Sequence, residues 1–139
     1  MTELTLEGIS NIEGDFQCKD YFYVKEFVMP FIRVAGNMTI ALNSGSVDTG
    51  AEIEFPKLQE IGGTLTLENN TNANNITFPS LKKILGSCSV TTDFLKNDIE
   101  FTSLESIGTD GANTQIEFKI DVTNILCPKL KTINGLFNI

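Results

Sequence analysis

Residues 55–67 read Phe55-Pro56-Lys57-Leu58-Gln59-Glu60-Ile61-Gly62-Gly63-Thr64-Leu65-Thr66-Leu67, and residues 78–90 repeat them as Phe78-Pro79-Ser80-Leu81-Lys82-Lys83-Ile84-Leu85-Gly86-Ser87-Cys88-Ser89-Val90. In both copies apolar residues occupy positions 1, 4, 7, 11 and 13, and glycine occupies position 9. Further copies begin at residues 6, 28, 101 and 127. Repeats of roughly 20–29 residues are typical of solenoids, in which each coil packs on its neighbours.

The repeat predicts the shape of one coil. Positions 11 and 13 flank a polar residue, and this alternation is typical of a half-buried strand. The segment Ile76-Thr77-Phe78 alternates in the same way and predicts a second strand. Proline at position 2 ends that strand, and glycine at position 9 suits a corner that needs positive φ or close backbone approach. We therefore predict an all-β fold: a parallel β-solenoid of about six coils of about 23 residues.

The register of the copies has two irregularities. A further apolar column lies two residues before position 1, and only Glu26 in the second copy breaks it. The fifth copy carries about three extra residues between Ile107 and Ile116. We expect insertions at 43–51, 68–75 and 109–114 to form outward loops, and residues 21–24 to add a strand or a cap. Residues 1–139 then form one domain. Because the sixth copy stops at Ile139 without a polar cap, we expect a continuation, a partner or a truncated chain.

Composition excludes several functional classes. The chain has no histidine, and its 18 acidic and 10 basic residues give a net charge of -8. Such a surface repels phosphate backbones, so no nucleic-acid partner is expected, and anionic membranes are disfavoured. No segment approaches the ~20 apolar residues of a membrane span, so no membrane insertion is expected. Residues 1–7 do not form a secretory signal.

The candidate reactive residues favour a structural interpretation. Cys18, Cys88 and Cys127 fall on core columns of the repeat and are expected to pack as small apolar residues. A nucleophilic cysteine needs a base such as histidine, which the chain lacks. Acidic residues such as Asp93 and Asp98 do not follow the spacing of a calcium loop. No catalytic residue, cofactor or metal is therefore predicted.

A binding surface is predicted on the strand that spans positions 10 to 13. Positions 10 and 12 point outward in the expected geometry, and they carry polar residues in the three central copies. A shallow recognition surface is one interpretation, and a solvated β-face is the other. An ice-binding threonine array is disfavoured, because one copy alone has the full Thr-x-Thr pattern. The candidate binding residues are Asn37, Thr39, Thr64, Thr66, Ser87 and Ser89.

The motif I-x-F-P-x-L-x-x-I-x-G-x-L-x-L, which spans residues 53–67, resembles the receptor L-domain group. These leucine-rich modules are right-handed β-helices, and related repeats occur in fungal cell-wall and bacterial surface proteins. The resemblance implies a right-handed solenoid and an extracellular or cell-surface location. The disulfide-closed ends of the receptor modules are missing here, which favours a bacterial or fungal type.

These observations predict a non-enzymatic cell-surface recognition or adhesion module that binds a protein or a glycan. The alternative is a structural spacer, one segment of a longer repeat array with no ligand of its own. A third interpretation is a carbohydrate-active enzyme domain, which requires two opposed carboxylic acids in a cleft. End-to-end association through the uncapped C-terminal coil is a further expectation.

Overall fold

The computed structural model describes residues 3–19, 26–41, 51–69, 73–92, 98–110, 113–120 and 125–138, and these residues contain no helix. Their strands form three six-stranded sheets in which neighbouring strands are parallel. Sheet A consists of β1 (Glu3–Thr5), β4 (Glu26–Val28), β7 (Ala51–Glu54), β10 (Ala73–Thr77), β13 (Ile99–Glu100) and β16 (Ile125–Leu126). Sheet B consists of β2 (Asn11–Ile12), β5 (Arg33–Val34), β8 (Glu60–Ile61), β11 (Lys83–Ile84), β14 (Ser106–Ile107) and β17 (Thr132–Ile133). Sheet C consists of β3 (Phe16–Lys19), β6 (Met38–Ala41), β9 (Leu65–Glu68), β12 (Cys88–Thr92), β15 (Gln115–Ile120) and β18 (Leu136–Asn138).

Each coil contributes one strand to each sheet. The chain runs from sheet A to sheet B to sheet C and returns to sheet A one coil further along the stack. In the central coils Ile61 pairs with Ile84, which lies 23 residues later. The predicted all-β fold, a parallel β-solenoid with a repeat of about 23 residues, is therefore confirmed.

The five predicted apolar columns form the core. In the third and fourth coils all ten column side chains are fully buried, and each such burial contributes about 1.5–3 kcal/mol. Phe55, Phe78 and Phe101 share one column, with neighbouring ring centroids 5.1 Å apart and nearly parallel rings. Most column residues of the first and last coils, such as Ile12 and Ile133, are only partly buried because these coils lack a neighbour on one side, whereas Cys18 of the first coil is buried.

Close approach of neighbouring coils explains the glycines at position 9 of the second, third and fourth coils. The N–H of Gly63 donates to the carbonyl of Gly36 at 2.9 Å, and the N–H of Gly86 donates to the carbonyl of Gly63 at 3.0 Å. A Cβ at Gly86 would lie 2.6 Å from the carbonyl carbon of Gly63. These glycines do not adopt left-handed φ values. For these three glycines close approach is therefore the reason that applies, whereas Gly135 at position 9 of the sixth coil combines a φ of +157° with close approach to Thr114.

The second coil begins at Met29, so the prediction that this copy begins at Val28 is wrong by one residue. Val28 pairs with Glu54, which places Met29 in the first core column, where it is fully buried. Four residues separate Val28 from Arg33, whereas five separate Glu54 from its counterpart Glu60. The second coil is therefore one residue shorter at this corner.

The same shift restores the column that precedes position 1. Phe27 pairs with Ile53 and is fully buried. Glu26 pairs with Glu52, and both are exposed on the outer face of sheet A. The predicted break of the column at Glu26 is therefore wrong.

The fifth coil contains a longer insertion than predicted. Ile84 pairs with Ile107 and Cys88 pairs with Ile116, so residues 85–87 correspond to residues 108–115. The insertion is thus five residues rather than about three, and its residues 111–112 lie outside the described ranges. Residues 43–50, 21–24 and 70–72, which include much of the other predicted loops and the linker, also lie outside them.

Candidate binding surface

The outer face of sheet C carries a row of polar side chains at position 12. Thr39 pairs with Thr66, and Thr66 pairs with Ser89, so the three lie in register on adjacent strands. All three are half-buried, whereas the flanking residues Leu65 and Leu67 are fully buried. Because adjacent parallel strands lie ~4.8 Å apart, the row is a regular ladder along the stack. In the outer coils it continues through Gln17, Glu117 and Asn138.

The position-10 residues lie at the corner that precedes sheet C. Asn37 is exposed, and Thr64 and Ser87 are half-buried. The Asn37 Oδ1 accepts a hydrogen bond from the Thr64 backbone N–H at 2.8 Å, and the Ser87 Oγ accepts one from the Gln115 N–H at 3.0 Å. The Asn37 N–H in turn donates to Asp15 Oδ1 at 2.7 Å. This second row therefore connects coils as well as forming part of the surface, a role that the sequence pattern did not indicate.

A shallow depression lies beside the fifth-coil insertion. Residues 113–115, Gly135 and Leu136 line it. Thr114 is 3% exposed, and its buried hydroxyl has no hydrogen-bond partner in the described part of the chain. Its carbonyl accepts a hydrogen bond from the Leu136 N–H at 2.9 Å. The buried Thr114 thus lies beneath the depression, and the only sequence signal for the depression is the insertion itself.

The three cysteines are free thiols with little nucleophilic character. Cys18 and Cys88 are buried, as predicted, whereas Cys127 in the sixth coil is half-buried. Burial raises the pKa of the Cys18 and Cys88 thiols to about 12 and that of Cys127 to about 11. At neutral pH these thiols are therefore almost fully protonated. Because the thiolate is the nucleophile, the three cysteines are poor nucleophiles.

The structure describes only some of the acidic residues that were considered for a calcium loop. Asp93 lies outside the described residues. Glu52 accepts hydrogen bonds from the side-chain amides of Asn74 and Asn75 at 3.3 and 2.8 Å. Within the described ranges, no group of three or more histidine, cysteine and acidic residues is arranged to hold a metal ion. Those ranges also contain no helix of the length and apolarity needed to cross a membrane.

Comparison of the chain with protein-family models, curated proteins and solved structures gave no match. The resemblance to the receptor L-domain group therefore rests on the repeat motif alone. Any function assigned to the chain has to be supported by its own residues and contacts.

Proposed function

We propose that this chain is a non-enzymatic recognition module that binds a protein or a glycan through the outer face of sheet C. The observation that carries the proposal is the in-register ladder of Thr39, Thr66 and Ser89. Hydroxyl groups both donate and accept hydrogen bonds, so such a row suits the polar groups of either partner. The buried columns beneath it make the surface rigid, which reduces the entropy lost on binding.

Two features add support for this face. The fifth-coil insertion and the depression at Thr114 border the ladder, and loops on a rigid scaffold often carry binding residues.

The motif resemblance favours display at a cell surface, of the bacterial or fungal type. The raised thiol pKa values favour a role without covalent catalysis.

The test compares two arginine substitutions at matched threonines. Thr66 and Thr77 are both half-buried on the outer face of a central strand, in sheet C and sheet A respectively. Wild-type protein is first screened on a printed glycan array and against purified surface proteins. Thr66→Arg should weaken binding to the selected ligand about tenfold or more, because interface-centre substitutions cost about 2 kcal/mol. Thr77→Arg should leave that binding unchanged.

Two results would contradict the proposal. One is the absence of any specific ligand in the screen. The other is an equal loss of binding in Thr66→Arg and Thr77→Arg while both variants keep the wild-type melting temperature. That pattern would indicate that the ligand does not bind specifically to the outer face of sheet C.

A second candidate is a structural spacer, and the hydrogen bonds of Asn37 and Ser87 favour it. Both side chains stabilise contacts between coils, which a spacer needs in every repeat. In the sixth coil Phe137, at core position 11, is 42% exposed, and a further coil or a second copy stacked end to end would cover it. A spacer predicts no ligand in the screen. End-to-end stacking predicts a sedimentation coefficient that rises with concentration in wild type but not in Phe137→Lys.

A further inference from the structure

The cationic side chains that the structure describes are concentrated on one face of an acidic protein. The structure describes seven lysine and arginine side chains, and only Lys19 lies away from sheet B and its edge. Three carboxylates, those of Glu13, Glu60 and Glu105, share this face. We call the cationic group the basic strip: Arg33, Lys57, Lys82, Lys83, Lys129 and Lys131.

The geometry of the coil produces the strip. Positions 4 and 7 point into the core, so the two residues between them both face outward at the short strands of sheet B. Lys82 and Lys83 occupy these places in the fourth coil, and both are exposed. The backbone N–H of Lys82 donates to the carbonyl of Gln59 in the preceding coil at 2.9 Å. The strip is therefore fixed to a rigid ladder with ~4.8 Å spacing.

Part of the strip is neutralised within the protein and part is not. The Arg33 Nε lies 3.1 Å from Glu60 Oε1, and the Lys131 Nζ lies 3.4 Å from Glu105 Oε2. Such exposed pairs contribute at most ~1 kcal/mol each. In the described structure Lys57, Lys82, Lys83 and Lys129 have no such pairing, so their charges are available to a ligand.

The strip borders two neighbouring shallow depressions, which together are called the groove. One depression spans the second, third and fourth coils between Arg33 and Lys83. A second depression shares Ile32 with the first and reaches Lys57. Together the two extend over four coils, roughly parallel to the stack.

We propose that the basic strip binds a linear acidic polysaccharide that lies along the stack. A sugar unit in an extended chain is comparable in length to the coil spacing, so neighbouring carboxylate or sulfate groups can reach Lys57 of the third coil and Lys82 and Lys83 of the fourth. This surface is separate from the polar ladder of sheet C and does not depend on the function proposed for that ladder.

Charge and side-chain type favour this ligand over other polyanions. The described side chains of the strip and its groove include no aromatic residue, and single-stranded nucleic acids need aromatic platforms for base stacking. A wide duplex would also meet the carboxylates of the neighbouring sheet A, such as Glu52 and Glu54. A protein interface of high affinity needs large aromatic or arginine anchors, and the exposed large apolar side chains of this groove are the two isoleucines Ile9 and Ile32.

The test uses polygalacturonate as the probe and measures its affinity for the whole chain by biolayer interferometry. Measurements are made at ~0.15 M salt, where a screening length of ~8 Å preserves the local field and suppresses repulsion from the other faces. Lys82→Ala/Lys83→Ala should weaken binding about tenfold. Lys19→Glu on sheet C changes the net charge by the same amount and should leave binding unchanged.

Three results would overturn the assignment. The first is no binding of polygalacturonate or of dextran sulfate to the wild-type chain. The second is equal weakening in the double variant and in Lys19→Glu, which would indicate a net-charge effect. The third is equally tight binding of poly-L-glutamate, which would assign the strip to an acidic protein. Neutral dextran should not bind in any case.

Discussion

Replacing Gly86 with alanine measures how closely neighbouring coils pack. A methyl group at this position would lie 2.6 Å from the carbonyl carbon of Gly63 and 2.9 Å from the backbone nitrogen of Thr64. Carbon atoms normally approach to about 3.5 Å. Since both contacts are backbone atoms, no side chain can rotate away. The third and fourth coils must therefore separate by about 0.9 Å at this corner, where the Gly86 N–H donates at 3.0 Å.

The magnitude follows from two opposing effects. Overpacking of a tight site costs about 1–3 kcal/mol, and a contact with backbone should lie in the upper half of that range. Alanine also reduces the entropy of the unfolded chain, which stabilises by about 0.4–1 kcal/mol where the backbone φ is compatible. Gly86 does not have a left-handed φ, so this second effect applies. We expect Gly86→Ala to lower the free energy of unfolding by about 1–2 kcal/mol.

The matched control is Gly14→Ala. Gly14 occupies the same column in the first coil, and a Cβ there would have no atom within 4 Å. We expect this variant to be as stable as wild type or up to about 1 kcal/mol more stable. Urea unfolding followed by far-ultraviolet circular dichroism measures both variants. Equal effects of the two substitutions, or wild-type stability of Gly86→Ala, would refute the close approach of the coils.

Three further outcomes are expected. Leu81→Asp should unfold the domain, because an unpaired carboxylate buried between coils costs ~3–5 kcal/mol of folding free energy. Cooperative melting of this variant at the wild-type temperature would contradict the assignment of Leu81 to a core column. Asn37→Ala should lower the free energy of unfolding in urea by about 1 kcal/mol by removing the acceptor of the Thr64 N–H, whereas Asn37→Asp, which keeps an acceptor, should not. Stability should fall as pH rises from 9 toward about 12, because the unfolded chain loses the protons of Cys18 and Cys88 before the folded chain does. A Cys18→Ala/Cys88→Ala protein should show a smaller fall, and an identical profile would contradict the raised pKa values.

The architecture was predictable from the sequence because each column must stack on itself. The five apolar positions of six copies can all be buried together only when every coil places the same positions inward. The error in the second coil has a local cause: that coil is one residue shorter, and counting back from Phe31 gives Val28 instead of Met29. Pro30 marks the correct register, since proline follows position 1 in the third, fourth and sixth coils.

The candidate surface was only partly predictable. Strand alternation was sufficient to place Thr39, Thr66 and Ser89 on one outer face. The hydrogen bonds of Asn37 and Ser87 depend on how the corner of one coil sits above the next, and a residue pattern does not contain that distance. The length of the fifth-coil insertion likewise depends on the strand pairing, which only the structure supplies.

Net charge is a poor guide to partners for a protein built in this way. A solenoid assigns each position of the repeat to one face, so charge at a given position accumulates on that face and not on the others. The two positions between Leu81 and Ile84 carry four basic and two acidic residues over the six coils. The described outer face of sheet A, in contrast, has Glu26 and Glu52 in register and no cation. A sum of -8 averages these faces. Because screening at physiological salt limits electrostatic effects to ~8 Å, a ligand on sheet B responds mainly to the local charge.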